Sequence, residues 1–219
     1  PLACLWPNPV RTPTLPPEGV TGPLIYGGKG DFAAFNGRRV EGAVVLMDFD
    51  CERDYVHPMM LGARAVIFLD RGIVNRGQAE LKALPVPANV PRFWADGEPV
   101  ARLVALAEAG GRVTVKARMT WEEAETWNVY GWIPGSDDLM PSRPGEKPRR
   151  WRDRREEIEA YYDAASSAPS LAPGADAATG IAVLLEAAEA LSALHPNYSI
   201  LALATSGHFT GLAGINDFL

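Results

Sequence analysis

The chain is short of the residues that build the commonest small sites. Two cysteines and three histidines in 219 residues exclude a cysteine-ligated zinc module and a disulfide-dense scaffold. No apolar run approaches the roughly 18 residues that a membrane helix needs, so no span lies within this stretch. Positive charge is scarce too: 21 Lys and Arg stand against 27 Asp and Glu, a net charge of −6 with a pI near 5.2. That balance argues against binding driven by phosphate neutralisation, so no nucleic-acid partner is expected. Phosphate loop, dinucleotide fingerprint, nucleophile elbow, His-Glu-x-x-His zinc motif and internal repeat are all missing. Gly27-Gly28-Lys29-Gly30 lacks the pattern of a phosphate cradle and reads as a turn. The start, Pro1-Leu2-Ala3-Cys4-Leu5-Trp6, carries no Met, basic segment or apolar leader. A mature chain after signal removal, or a stretch of a longer chain, would begin this way.

What remains is ordinary for a folded protein. The apolar fraction is 47% and the charged fraction 22%, and the length suits two modest domains. Prolines and glycines, 19 and 21 of them, make the chain turn-rich. Seven prolines fall in residues 1–23, and residues 1–17 read as an extended Pro-rich arm lying across a surface. From Leu24 the pattern becomes short apolar runs between turns. Leu24-Ile25-Tyr26 reads as a strand, and Gly42 to Asp48 and Gly62 to Leu69 as buried strands flanking one or two helical turns over Tyr55–Leu61. Val100–Ala109 predicts an amphipathic helix, and Arg112–Met119 a half-buried strand with Val113, Val115 and Ala117 inward. In an oxidising compartment a Cys4–Cys51 disulfide is open, although composition sets no distance between the two.

A change of pattern at residues 117–127, marked by Trp121-Glu122-Glu123-Ala124-Glu125, predicts the seam between two domains. Beyond it, Trp127–Ile133 reads as a strand and residues 134–150 as a solvated loop. Lys147–Arg155 is basic at six of nine positions, yet Glu156, Glu157 and Glu159 follow at once, so it reads as a charged loop entering a helix or strand. Ala177–Leu194 is the clearest helix, with Ile181, Leu184, Leu185, Ala188 and Leu191 as its apolar stripe and Leu184, Leu185 and Leu191 expected to be buried. Ser199–Thr205 reads as an interior strand, and Gly211–Leu219 as a helix just begun. Strand, helix and strand in this order predict an α/β fold with a mainly parallel sheet.

Chemistry is thinly supplied. His195 sits at a helix end, where a cation meets the dipole, and His57 before Pro58 reads as a loop or core residue. His208 follows an interior strand, and ligands bind at the carboxyl ends of strands in open α/β sheets. Asp163 and Asp176 end comparable segments, and Asp176 also suits the N-cap of the best helix. Asp163, Asp176 and His208 are therefore expected at one sheet edge.

These residues also carry a family resemblance. Residues 127–219 resemble the first half of the dinuclear-zinc aminopeptidases, the fold shared with glutamate carboxypeptidase and the transferrin receptor. The matching stretches are Asn128-Val129-Tyr130-Gly131-Trp132-Ile133-Pro134-Gly135, Tyr161-Tyr162-Asp163, Pro173-Gly174-Ala175-Asp176-Ala177-Ala178-Thr179-Gly180 and His208-Phe209-Thr210-Gly211-Leu212-Ala213-Gly214-Ile215. Residues 18–120 resemble a protease-associated domain, through Val40-Glu41-Gly42-Ala43-Val44-Val45-Leu46 followed by Gly62-Ala63-Arg64-Ala65-Val66-Ile67-Phe68. The resemblance implies a β-rich domain over 18–120 and an incomplete α/β/α domain over 121–219.

Carried over position by position, the catalytic set is degenerate. The family's first histidine ligand falls on Tyr161, and Asp163 keeps the place of the aspartate that orients it. The bridging aspartate falls on Asp176 counting back from Gly180, or on Ala177 counting forward from Gly174. The glutamate base and the next ligand become His208 and Phe209. A co-catalytic pair needs about five ligands plus a base, and only Asp176 and His208 remain as weak candidates. No catalytic residue, metal or other cofactor is therefore expected. The resemblance implies a non-catalytic, peptidase-like ectodomain module, extracytoplasmic, with a protein or peptide partner. Any membrane attachment would come through parts outside this chain. The alternative is a fragment of an active zinc-dependent aminopeptidase or carboxypeptidase, and a third reading is a small-molecule binder reusing the old cleft.

Overall fold

A computed structural model describes residues 2–6, 11–83, 89–120, 122–171 and 175–219, with the side chains of residues 76, 83, 169 and 175–177 outside that description. Trp121 of the expected seam and Pro173-Gly174 of the expected turn lie outside the described residues. The chain is α/β and forms two compact units. The first comprises Pro1–Glu122 with Ser166–Ala172, the second Glu123–Ala165 with Pro173–Leu219.

The first unit is a six-stranded sheet. Its strands are β1 (Ala3–Cys4), β2 (Val20–Tyr26), β3 (Val44–Asp48), β4 (Ala65–Leu69), β5 (Arg92–Ala95) and β6 (Arg112–Val115), in the order β1-β5-β4-β3-β2-β6. β2 to β5 run parallel, and β1 and β6 are antiparallel edges. Three helices connect them: α1 (Val56–Met60), α2 (Arg76–Ala83) and α3 (Glu98–Glu108). All side chains from Val44 to Met47 and from Ala65 to Leu69 are buried, which is why both strands read as unbroken apolar runs. Alternate residues enter two cores. Val45, Met47, Val66 and Phe68 join Phe49 and Tyr55, with Val56 and Met59 of the α1 region packed on them. Val44, Leu46, Ile67 and Phe93 face the other way, covered by Val100, Leu103, Val104 and Ala107 of α3.

Among the described residues, two charged side chains, Lys82 and Arg92, are buried inside this unit. The Lys82 ammonium donates to the Glu52 carbonyl at 2.7 Å and to Gln78 Oε1 at 3.0 Å, and it lies over the rings of Phe49, Tyr55 and Phe68. Hydrogen bonds and ring faces offset part of its lost hydration, yet burial still pulls its pKa below the usual lysine range. Arg92 donates to the carbonyls of Lys82 (2.6 Å) and Trp6 (3.0 Å), tying the N-terminal segment to β5.

That tie bears on the arm and on the open question of the two cysteines. Within the described part of the arm, Ala3 and Cys4 pair with Trp94 and Phe93 as an edge strand, and Leu5 and Leu15 are buried. Burying those leucines favours docking over extension in solvent. The Cys4–Cys51 bridge is not formed, and both thiols are free. Cys51 belongs to one core, while Cys4 packs against the other, across the sheet. A disulfide needs its Cβ atoms roughly 3.5–4.5 Å apart, which an intervening sheet forbids.

The second unit contains β7 (Val129–Ile133), β8 (Arg155–Tyr161), β9 (Ser199–Thr205), α4 (Ala175–Ala193) and α5 (Ala213–Phe218), with strand order β7-β9-β8. β8, α4 and β9 make a βαβ unit with β8 and β9 parallel, whereas β7 runs antiparallel to β9. The parallel character expected here thus holds for one of two pairings. Antiparallel edges tolerate a wet face, and Val129, Tyr130 and Trp132 of β7 are exposed.

The α4 stripe also needs correction. Leu184 is 8% exposed but Leu185 is 65% exposed. Adjacent helical residues point about 100° apart, so the inward face runs through buried Leu184 and half-buried Ile181, Ala188 and Leu191, at spacings of three and four. Among the described residues, no helix is long and apolar enough to cross a membrane.

Candidate functional site

In the second unit, β8 ends at Tyr161 and β9 ends at Thr205, paired in register at the carboxyl edge of the parallel strands. The chain turns sharply after β9. Thr210 and Ala213 donate N–H groups to the Gly207 carbonyl, and Gly214 donates to Ser206. Gly207 has φ +66°, in the left-handed region. A Cβ at Gly214 would strike the Ser206 carbonyl oxygen. Only glycine lets the start of α5 close over this turn.

The turn folds His208 and Phe209 over the end of β8. The Tyr161 and His208 rings stack with centroids 4.0 Å apart and planes inclined by 20°. Phe209 meets both edge-on, at 5.5 Å from Tyr161 and 5.0 Å from His208. Asp163 accepts the backbone N–H of His208 at 3.3 Å on Oδ1 and that of Phe209 at 3.5 Å on Oδ2. Its carboxylate thereby anchors the turn. Tyr161, Asp163, His208 and Phe209 come together, while the side chain of Asp176 lies outside the described residues.

Several neighbours were missed from sequence. Glu159 accepts a hydrogen bond from the Thr205 hydroxyl. The Tyr162 hydroxyl donates to the Trp127 carbonyl at 2.6 Å, and Ser206 Oγ donates to Thr126 Oγ1 at 2.7 Å. Glu159 could have been found, since period two places it on the same strand face as Tyr161. The other partners are 35 and 80 residues apart, and no local pattern links them.

The remaining histidines are elsewhere. His57 stacks on Phe32 at 4.0 Å and places Nδ1 2.8 Å from the Gly30 carbonyl, a packing role. His195 is exposed at the end of α4 with φ +48°.

The described donors do not fit a zinc ion. Phe209 has no donor atom, and the Asp163 carboxylate oxygens already accept backbone N–H groups. Among the described residues, no three His, Cys, Asp or Glu side chains are grouped as a metal would require.

No protein-family model matches the chain, and no curated protein matches it. Among solved structures it is similar to an aminopeptidase from Aneurinibacillus sp. strain AM-1, with 23% sequence identity and a TM-score of 0.47. That alignment covers 93% of this chain and 47% of the aminopeptidase, so the chain spans about half the length of that enzyme.

Proposed function

We propose that the chain is a non-catalytic, peptidase-like module of an extracytoplasmic ectodomain, binding a protein or peptide partner. One observation carries the reading: Tyr161, His208 and Phe209 pack as three rings at the carboxyl edge of β8 and β9. Two of these positions are ligand positions in the family that residues 127–219 resemble, and the third is its base. A hydrolytic site needs lone pairs aimed at a common point and room for an activated water. Here Phe209 offers no lone pair, Tyr161 and His208 are stacked ring on ring, and Asp163 holds the turn that positions two of the three. The same half-exposed rings and polar rim suit recognition, since aromatic side chains supply much of the contact area at interfaces.

The test is elemental analysis of the full-length protein after purification in zinc, with aminopeptidase and carboxypeptidase assays. The expected result is no stoichiometric zinc and no zinc-dependent cleavage. Stoichiometric zinc with peptide cleavage abolished by Asp176→Ala would overturn the reading and establish the enzyme.

A further inference from the structure

The first unit contains a cavity that the reading above does not use. Residues from both edge strands of the six-stranded sheet, β1 and β6, line this one space of about 1010 Å³, together with α3. Its walls are apolar: Leu2, Phe93, Leu103, Leu106 and Val113. Arg102, Lys116 and Arg118 also line it, and among the described residues no Asp or Glu does. Arg102 reaches Glu98 at 3.7 Å along α3, in a pair exposed on both sides. Lys116 and Arg118 have no ion pair among the described residues. On a chain of net charge −6, three cations around an apolar space form a local reversal of sign.

We propose that this cavity binds a long-chain alkyl carboxylate, with its chain in the apolar space and its headgroup among Arg102, Lys116 and Arg118. The volume is at the upper end of the range for small-molecule sites, roughly 300–1,000 Å³. A methylene chain makes no hydrogen-bond demands on such walls. A peptide would bring backbone N–H and C=O groups needing partners, and among the described residues Thr114 is the one hydroxyl along the lining. The matched charge is an anion, because the cations lack acidic neighbours on the wall.

Cys4 supplies a reporter. It lines the cavity as a free thiol, whereas Cys51 is buried in the opposite core. Alkylation at mildly alkaline pH therefore reads occupancy at Cys4, whose pKa is raised by burial.

The experiment titrates the whole chain with octanoate, decanoate and dodecanoate below their micelle thresholds, using calorimetry and the rate of Cys4 alkylation by iodoacetamide. The dissociation constant should fall about fourfold for each added methylene, and alkylation should slow in proportion to occupancy. Lys116→Gln with Arg118→Gln should weaken decanoate at least tenfold while leaving decanol binding unchanged. Both positions are exposed, so the fold survives the change. A dissociation constant indifferent to chain length, absence of binding, or a double variant that binds decanoate as before would each overturn the proposal. So would protection of Cys4 that rises with protein concentration and no ligand, which would assign this face to a second copy of the chain.

Discussion

The two units use the same strand–helix–strand grammar and finish it differently. In the first, β3 and β4 are covered on both faces, and nearly every apolar side chain they carry lies in one of two cores. In the second, β7 leaves Val129, Tyr130 and Trp132 exposed, and α4 leaves Val183 and Leu185 exposed. Burial contributes about 25 cal/mol per Å² of apolar surface, so the first unit draws its stability from packing. The second depends more on hydrogen bonds and ring contacts around its carboxyl edge, where Asp163, Tyr162, Asn128 and Ser206 tie turns to strands. A site on the second unit thus rests on the less deeply packed scaffold.

The sharpest way to break this contrast is to hollow the two-sided core. Phe68 is fully buried and meets Phe49 and Tyr55 edge-on at 6.0 and 5.3 Å. Phe68→Ala should cost about 3–5 kcal/mol in urea unfolding. A loss below about 1 kcal/mol would show that this core does not support the first unit.

The next effect is electrostatic and confined to the same core. Burial pushes the Cys51 thiol from its ordinary value near 9 up to about 11, against a smaller opposing pull from Lys82. The folded chain then holds that proton after the unfolded chain has lost it, so stability falls as pH rises from 9 to 11. The loss over that window should be roughly 3 kcal/mol. Lys82 acts with the opposite sign: its pKa is lowered, so the cost of burying its charge fades as pH rises toward its ordinary value of 10.5. Lys82 is present in both wild type and Cys51→Ala, so comparing the two isolates the thiol to first order. The variant's packing deficit should shrink as pH rises. A constant gap between the two would contradict the burial argument.

How legible each region was follows from the range of the signals. β9 was readable in full as Ser199–Thr205, and β3 and β4 nearly so, because a buried parallel strand is an unbroken apolar run. α2 and β5 were not read. The Arg76–Ala83 segment is mostly polar, and β5 opens on Arg92, whose burial depends on carbonyls of Lys82 and Trp6, 10 and 86 residues away. At the candidate site, His208 and Asp163 were legible because each follows or ends a strand-like segment, and Tyr161 and Phe209 through the family resemblance. The stack of Tyr161 on His208 was not, since it requires a left-handed Gly207 and a closely approached Gly214 acting together. Whether Cys4 and Cys51 pair stayed open in the sequence for a related reason: counting cysteines cannot tell which face of a sheet each one takes.

The smallest effects test the second unit through two neighbouring leucines. Leu184 faces the sheet and is nearly buried, so Leu184→Ala should cost about 2–3 kcal/mol, the low end for a leucine whose surroundings can partly collapse. Leu185 stands about 100° further round α4 and is 65% exposed, so its truncation removes few contacts. Alanine also has the higher helix propensity, by a few tenths of a kcal/mol, which offsets part of that loss. Leu185→Ala should therefore change stability by no more than about 0.5 kcal/mol. Urea midpoints of the two variants, measured side by side, check the helix phase directly. Equal losses would mean that both leucines are covered and that the second unit is packed as fully as the first.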